Sequence, residues 1–130
     1  MAQGLEIDLK QLVLYDGSFG PREIGQMAGA IAKDFSAYRA LRDAVGDLEA
    51  TEDLSPASNV RLGVCLYMLG RYRRAVDVLR RGDGGALAHF YLGKSFFGLE
   101  NSPEAARSFE SARQAGYDGD DCALNRAQAL

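Results

Sequence analysis

Leu62-Gly63-Val64-Cys65-Leu66 and Leu92-Gly93-Lys94-Ser95-Phe96 are two copies of one arrangement, 30 residues apart. Counted from the glycine, Gly63 is followed by Leu66, Ala75 and Leu79, and Gly93 by Phe96, Ala105 and Phe109, at offsets of +3, +12 and +16 both times. A small residue followed by large apolar ones at three shared offsets marks a repeat. Repeats of this period mean stacked supersecondary units, and they take precedence over any single-site reading.

Working outward, the punctuation is helical. Ser55-Pro56 is a helix start: a serine side chain accepts from an otherwise unpaired N–H, and proline at the first helical position has no N–H to leave unpaired. Ser102-Pro103 repeats the device, and all three prolines (Pro21, Pro56 and Pro103) stand at inferred helix starts. Toward the N-terminus, Ile24, Met27, Ala28 and Ile31 share one helical face. Gly25 and Gly29 weaken that helix by roughly 0.8–1 kcal/mol each relative to alanine, a loss that packing must recover. Asp34 caps a further helix with Phe35, Tyr38, Leu41, Val45 and Leu48 on its apolar face. Leu5 to Tyr15 alternates like a strand but also fits a helix begun by Asp8; helix is preferred, because a lone strand finds no partner here. The predicted helices are 8–14, 21–32, 35–50, 56–69, 71–81, 86–99, 103–115 and 120–129, an all-α chain.

The spacing resembles the tetratricopeptide repeat (TPR), whose pattern is W-x2-L-G-x2-Y…A-x3-F…P over 34 residues. With Pro56 first, Asn59 takes the Trp slot, Leu62, Gly63 and Leu66 follow, Gly70-Arg71-Tyr72 forms the turn, and Ala75 and Leu79 complete the unit. With Ala86 first, His89, Leu92, Gly93, Phe96, Ala105, Phe109 and Ala112 fill the same slots, while Tyr117 stands where the family prefers Pro. A third unit from Asp120 places Arg126, Ala127 and Leu130 in the Leu, Gly and Tyr slots. The first unit is short at Arg81-Gly82-Asp83-Gly84-Gly85, so its second helix is expected to end about one turn early. The resemblance covers a little over half the chain. It implies helical-hairpin repeats in a right-handed solenoid: 56–85, 86–119 and a truncated third from 120, within a segment 55–130. Residues 1–54 are then an N-terminal helical cap at the start of the stack or in its groove.

Composition bounds the rest. At 130 residues, 47% hydrophobic and 25% charged, this is one domain's worth of ordinary globular chain. No apolar run approaches the roughly 18 residues that span a membrane, and no secretory signal opens the sequence, so the expected location is cytoplasmic with no membrane partner. Cys65 and Cys122 have neither a second cysteine nor a histidine at ligand spacing, which speaks against zinc and for packed thiols. Residues 1–60 carry a net charge of −5 and residues 61–130 one of +2. That tilt is too mild to imply a polyanion, so nucleic acid is not expected to bind through this segment.

Catalytic patterns are missing. There is no H-E-x-x-H, no P-loop and no G-x-G-x-x-G after a strand. Gly82-Asp83-Gly84-Gly85 lacks the Lys-Ser/Thr that would hold phosphate, and His89 has no evident base or nucleophile partner. No enzyme activity, cofactor or metal is expected. Arg71, Arg73, Arg74, Arg80 and Arg81 form the sharpest charge cluster, read as a solvated outer face with Arg73 and Asp77 paired at i, i+4.

The resemblance places function on the concave face. Carried across residue by residue, that face is Ala57, Val60, Val64, Tyr67 and Met68, then Leu87, Phe90, Lys94, Phe97 and Gly98, then Asp121, Leu124 and Gln128. The positions of the family's carboxylate clamp hold Val60, Val64, Tyr91, Asp121 and Asn125, which disfavours that mode. An apolar groove suits an amphipathic helix or a hydrophobic strand, with the chain's own helix at 21–32 or a second copy of the chain as competing occupants. The expected function is a non-enzymatic scaffold or adaptor with a protein or peptide partner. Two alternatives are the small TPR chaperones of bacterial secretion systems, and long bacterial TPR proteins that can end in a domain like the C-terminal domain of the RNA polymerase α subunit, whose start Leu5 to Gly20 resembles.

Overall fold

A computed structural model describes Leu9, Val13 and residues 19–129 of the chain. Most of the predicted helix 8–14 and of the stretch Leu5 to Gly20 therefore lies outside the described residues, as does Leu130; Leu9 and Val13 are helical and buried. The chain divides into two compact units between Glu52 and Asp53. Among the described residues there are helices and connections but no strand.

The N-terminal unit contains α1 (Pro21–Lys33) and α2 (Phe35–Glu49), which pack on each other. Asp34 turns the chain between them: its carboxylate accepts from the Ser36 backbone N–H at 2.9 Å and from the Ser36 hydroxyl at 2.8 Å. These bonds hold the Asp34 carboxyl below its ordinary value. Ile24 and Met27 are buried as the periodicity predicts, along with Leu41, Ala44, Val45 and Leu48. Ala28, however, is exposed, Ile31 is half-buried, and Phe35 is 69% exposed at the head of α2. No described atom lies within 4 Å of where a Cβ on Gly25 or Gly29 would sit, so neither glycine makes a close helix crossing among the described residues.

The C-terminal unit contains α3 (Pro56–Met68), α4 (Tyr72–Leu79), α5 (Ala86–Gly98), α6 (Ser102–Gln114) and α7 (Gly119–Ala129). Each packs on the next in sequence, and α5 also touches α3 and α7. The first hairpin's second helix is short, eight residues in α4 against 13 in α6, as the compressed spacing at Arg81–Gly85 requires.

The conserved-offset residues of the two copies make the same contact. A Cβ on Gly63 would lie 2.4 Å from Leu79 Cγ, and one on Gly93 would lie 2.6 Å from the ring of Phe109. The residue sixteen places after each glycine therefore lies across it. Leu66, Ala75 and Leu79 in one hairpin, and Ala105 and Phe109 in the other, are 2% exposed or less, each large side chain contributing about 1.5–3 kcal/mol by burial. Leu62, Leu92 and Phe96 are buried as well.

Three helix ends share one closure. The Arg71 N–H donates to Leu66 O, that of Asn101 to Phe96 O and that of Tyr117 to Ala112 O, each at 2.9 Å. Inside each, Gly70, Glu100 or Gly116 donates to a carbonyl three residues back and has a positive φ, of 79°, 61° and 102° respectively. This is the Schellman closure, which needs a left-handed residue after the helix. Two of the three use glycine; the second hairpin uses glutamate, which bears a steric cost of about 1–2 kcal/mol there.

Caps at the helix starts follow the sequence with one shift. Ser55 Oγ accepts from the Ser58 N–H at 3.1 Å as expected. The cap of α6 is Asn101, whose side-chain oxygen accepts from the Glu104 N–H at 3.3 Å, with Ser102 already helical. Asp118 Oδ1 accepts from the N–H groups of Asp120 and Asp121 at 2.9 and 3.0 Å. Arg73 and Asp77, expected to pair, form no ion pair among the described residues; both project into solvent on α4.

Glycine substitutions should therefore split by site in thermal or urea unfolding. Gly93→Ala should destabilise by about 1–3 kcal/mol through overpacking against Phe109, despite alanine's better helix propensity. Gly25→Ala, at an exposed helical position with no described atom near the added Cβ, should instead stabilise by about 0.5–1 kcal/mol. Equal effects at the two sites would refute the assigned contacts.

Glu100→Gly should raise stability by about 1 kcal/mol in the same assay, by relieving the left-handed strain.

Candidate functional site

Where α3 and α5 end and α4 and α6 begin, the C-terminal unit leaves an open cleft of about 650 Å³. Tyr67, Tyr72, Lys94, Phe97, Gly98, Glu100 and Ser102 line it. The two Schellman turns put these residues together: each brings the last turn of one helix against the first residues of the next. Tyr67 is held from both sides, its ring 5.6 Å from that of Tyr72 and 5.4 Å, edge-on, from that of Tyr91. Gly98 lets α5 approach Tyr72, because a Cβ there would lie 2.7 Å from the Tyr72 ring. Phe97 stands on the rim, 46% exposed, while every other aromatic side chain of this unit is buried or half-buried.

Polar groups frame the apolar wall. Lys94 is half-buried, and its ammonium donates to Asn125 Oδ1 across to α7 at 3.4 Å. Asn125 is fixed in turn by donating its own amide to Asp121 O at 2.7 Å. Glu100, at the turn, lines the same cleft.

The structure divides the residues that the resemblance placed in one groove. Tyr67, Lys94, Phe97 and Gly98 meet in the cleft. Val60, Val64 and Phe90 do not line an open surface; they are 5%, 0% and 6% exposed. Val60 packs beneath the α4–α5 connection, where a Cβ on Gly82 would lie 2.6 Å from Val60 Cγ2. Phe90 turns toward α6: its ring stacks on Tyr117 at 4.1 Å and meets Phe109 edge-on at 5.6 Å. Met68 and Leu87 are half-buried, whereas Ala57, Asp121, Leu124 and Gln128 are exposed. Tyr72, Glu100 and Ser102 were missed because they belong to second helices and turns. The signal that places them is Gly98 opposite Tyr72, a close approach one hairpin away in sequence.

A second cleft, of about 530 Å³, lies in the N-terminal unit, lined by Leu9 and by α1 and α2 residues including Gly25, Gly29, Ala30, Ala37 and Ala40. Gln26, Lys33, Asp34 and Ser36 complete its lining, and no aromatic side chain is among the described residues there. Among the described residues no group of three or more His, Cys, Asp or Glu is placed to hold a metal ion, and no helix is long and apolar enough to cross a membrane. Both thiols are buried; burial pushes Cys65 up to about 12, offset slightly by Arg61, and also raises Cys122.

Comparison with protein-family models, with curated proteins and with solved structures gives no match for this chain.

The tyrosines around the cleft supply a pH test. Burial, first, and neighbouring phenols or carboxylates, second, raise Tyr91, Tyr67 and Tyr117 above the ordinary value of 10.0. A phenol whose folded value is raised favours the fold below the unfolded value, and that contribution is lost as pH rises through the folded one. Alkaline titration followed by tyrosinate absorbance should show Tyr67, Tyr91 and Tyr117 ionising above the ordinary value, together with loss of helical ellipticity. Ionisation of these three near the ordinary value, with the helix signal intact, would contradict the packing.

Proposed function

We propose that this chain is a non-enzymatic protein–protein interaction module of the tetratricopeptide type, which holds a peptide or helix of its partner in the cleft at Tyr67, Tyr72, Lys94 and Phe97. The observation that carries the reading is Phe97, a large aromatic left 46% exposed on the rim of an open cleft whose other rings are braced against one another. Exposed aromatics beside a pre-formed concavity are the usual anchors of peptide binding. The repeated glycine contacts, and the contacts of α5 with α3 and α7, support a stack of helical hairpins. The role is that of a scaffold or adaptor, with specificity set by what fits between the hairpin ends, and it assigns no catalytic step.

The test is selection of a random dodecapeptide library displayed on phage against the full chain. Peptides that bind should lose about tenfold in affinity to Phe97→Ala, the loss of one anchor worth about 1.4 kcal/mol, with the melting temperature unchanged. Phe90→Asp should instead lower the melting temperature sharply, because it buries a charge between Tyr117 and Phe109. Recovery of no peptide, or of peptides indifferent to Phe97→Ala, would overturn the reading.

A further inference from the structure

Lys94 is the feature of the cleft that apolar docking alone leaves unexplained. It stands on α5 in the wall that also carries Tyr67, Tyr72 and Phe97, and it is half-buried there. Its described partner is the neutral side chain of Asn125, at 3.4 Å, near the outer limit of a hydrogen bond. Among the described residues no carboxylate lies within ion-pair distance of its ammonium. On α6, by contrast, Arg107 pairs with Glu104, and Arg113 with Glu110, each one turn away. A lysine in a part-buried position whose described partner is a neutral amide favours a ligand that supplies a counter-charge.

Resting on the peptide-binding reading above, we propose that the partner segment pairs an acidic side chain with a large apolar one, the carboxylate on Lys94 and the apolar group on Phe97, Tyr67 and Tyr72. The charge pattern selects a protein segment over a nucleic acid. Aromatic faces beside a lysine also suit stacked bases, but Glu100 lines the same cleft, and the exposed Asp121 lies on α7 one turn before Asn125, the partner of Lys94. A phosphate backbone following the cleft meets these carboxylates and is repelled, whereas a peptide places one acidic group at Lys94 and keeps its remaining charge elsewhere. Lys94 thus sets specificity, and Phe97 provides the anchor.

The phage-displayed dodecapeptides separate these roles. Peptides selected by the full chain should be enriched in Asp or Glu beside Leu, Phe or Trp. One synthesised winner should lose about tenfold in affinity to Lys94→Glu and to Lys94→Met, which keeps most of the aliphatic stem. Replacing its acidic residue with lysine should cost a similar factor against the wild-type chain and restore binding to the Lys94→Glu variant. Circular dichroism of both variants checks that the helices persist. Selected peptides with no acidic preference, or with affinity indifferent to both Lys94 variants, would overturn the pairing while leaving the Phe97-dependent docking in place. Recovery of no peptide would sink both. Binding of oligouridylate that Lys94→Glu abolishes would assign the cation to phosphate and refute the acidic-segment proposal.

Discussion

At Gly63 and Gly93 a helix backbone lies directly against a large side chain of the following helix, Leu79 in one hairpin and the ring of Phe109 in the other. Everything else in the C-terminal unit is arranged around these two approaches. Without a Cβ, the helices of each hairpin come close enough for Leu66, Ala75, Leu79, Ala105 and Phe109 to lose their contact with water. The partner differs between copies, aliphatic in the first and aromatic in the second, but the constraint is the same. A rigid ring cannot yield to an added methyl as the end of a flexible chain can, so the second crossing is the less forgiving.

The hairpin ends translate that packing into a surface. Because the same six-residue closure ends α3, α5 and α6, the chain reverses in a similar way each time, with one left-handed residue per turn. Glu100 occupies that position between α5 and α6, where Gly70 and Gly116 serve in the other two turns. An acidic residue thereby lines the cleft at a backbone cost that glycine would not bear. The cleft consequently has an aromatic wall, a cation held from one side and a carboxylate at the turn. That mixture gives a site orientation as well as apolar adhesion.

The two units contrast in how they use small residues. In the C-terminal unit Gly63, Gly93 and Gly98 each face a side chain that would collide with a Cβ. In the N-terminal unit no described atom lies within 4 Å of where a Cβ on Gly25 or Gly29 would sit, and both glycines are exposed. The residue type is the same, but only in the first case does its missing side chain create a contact.

By itself the sequence determined the helical character of the described residues, the positions of α1 to α7 to within a few residues, and the early end of α4, because periodicity, prolines at helix starts and caps act locally. The glycine offsets were legible too, since the residue at +16 is the one that lies on the glycine. Tertiary structure decided which apolar residues remain available. Val60, Val64 and Phe90 share helical stripes with Tyr67 and Phe97, yet the former are buried and the latter line the cleft. The reason is that a helix such as α5, with neighbours at α3, α4, α6 and α7, is apolar nearly all round. Its hydrophobic pattern then marks no single outward face, and only the placement of Gly82, Tyr117 and the two turns determines which stripe is covered and which is open.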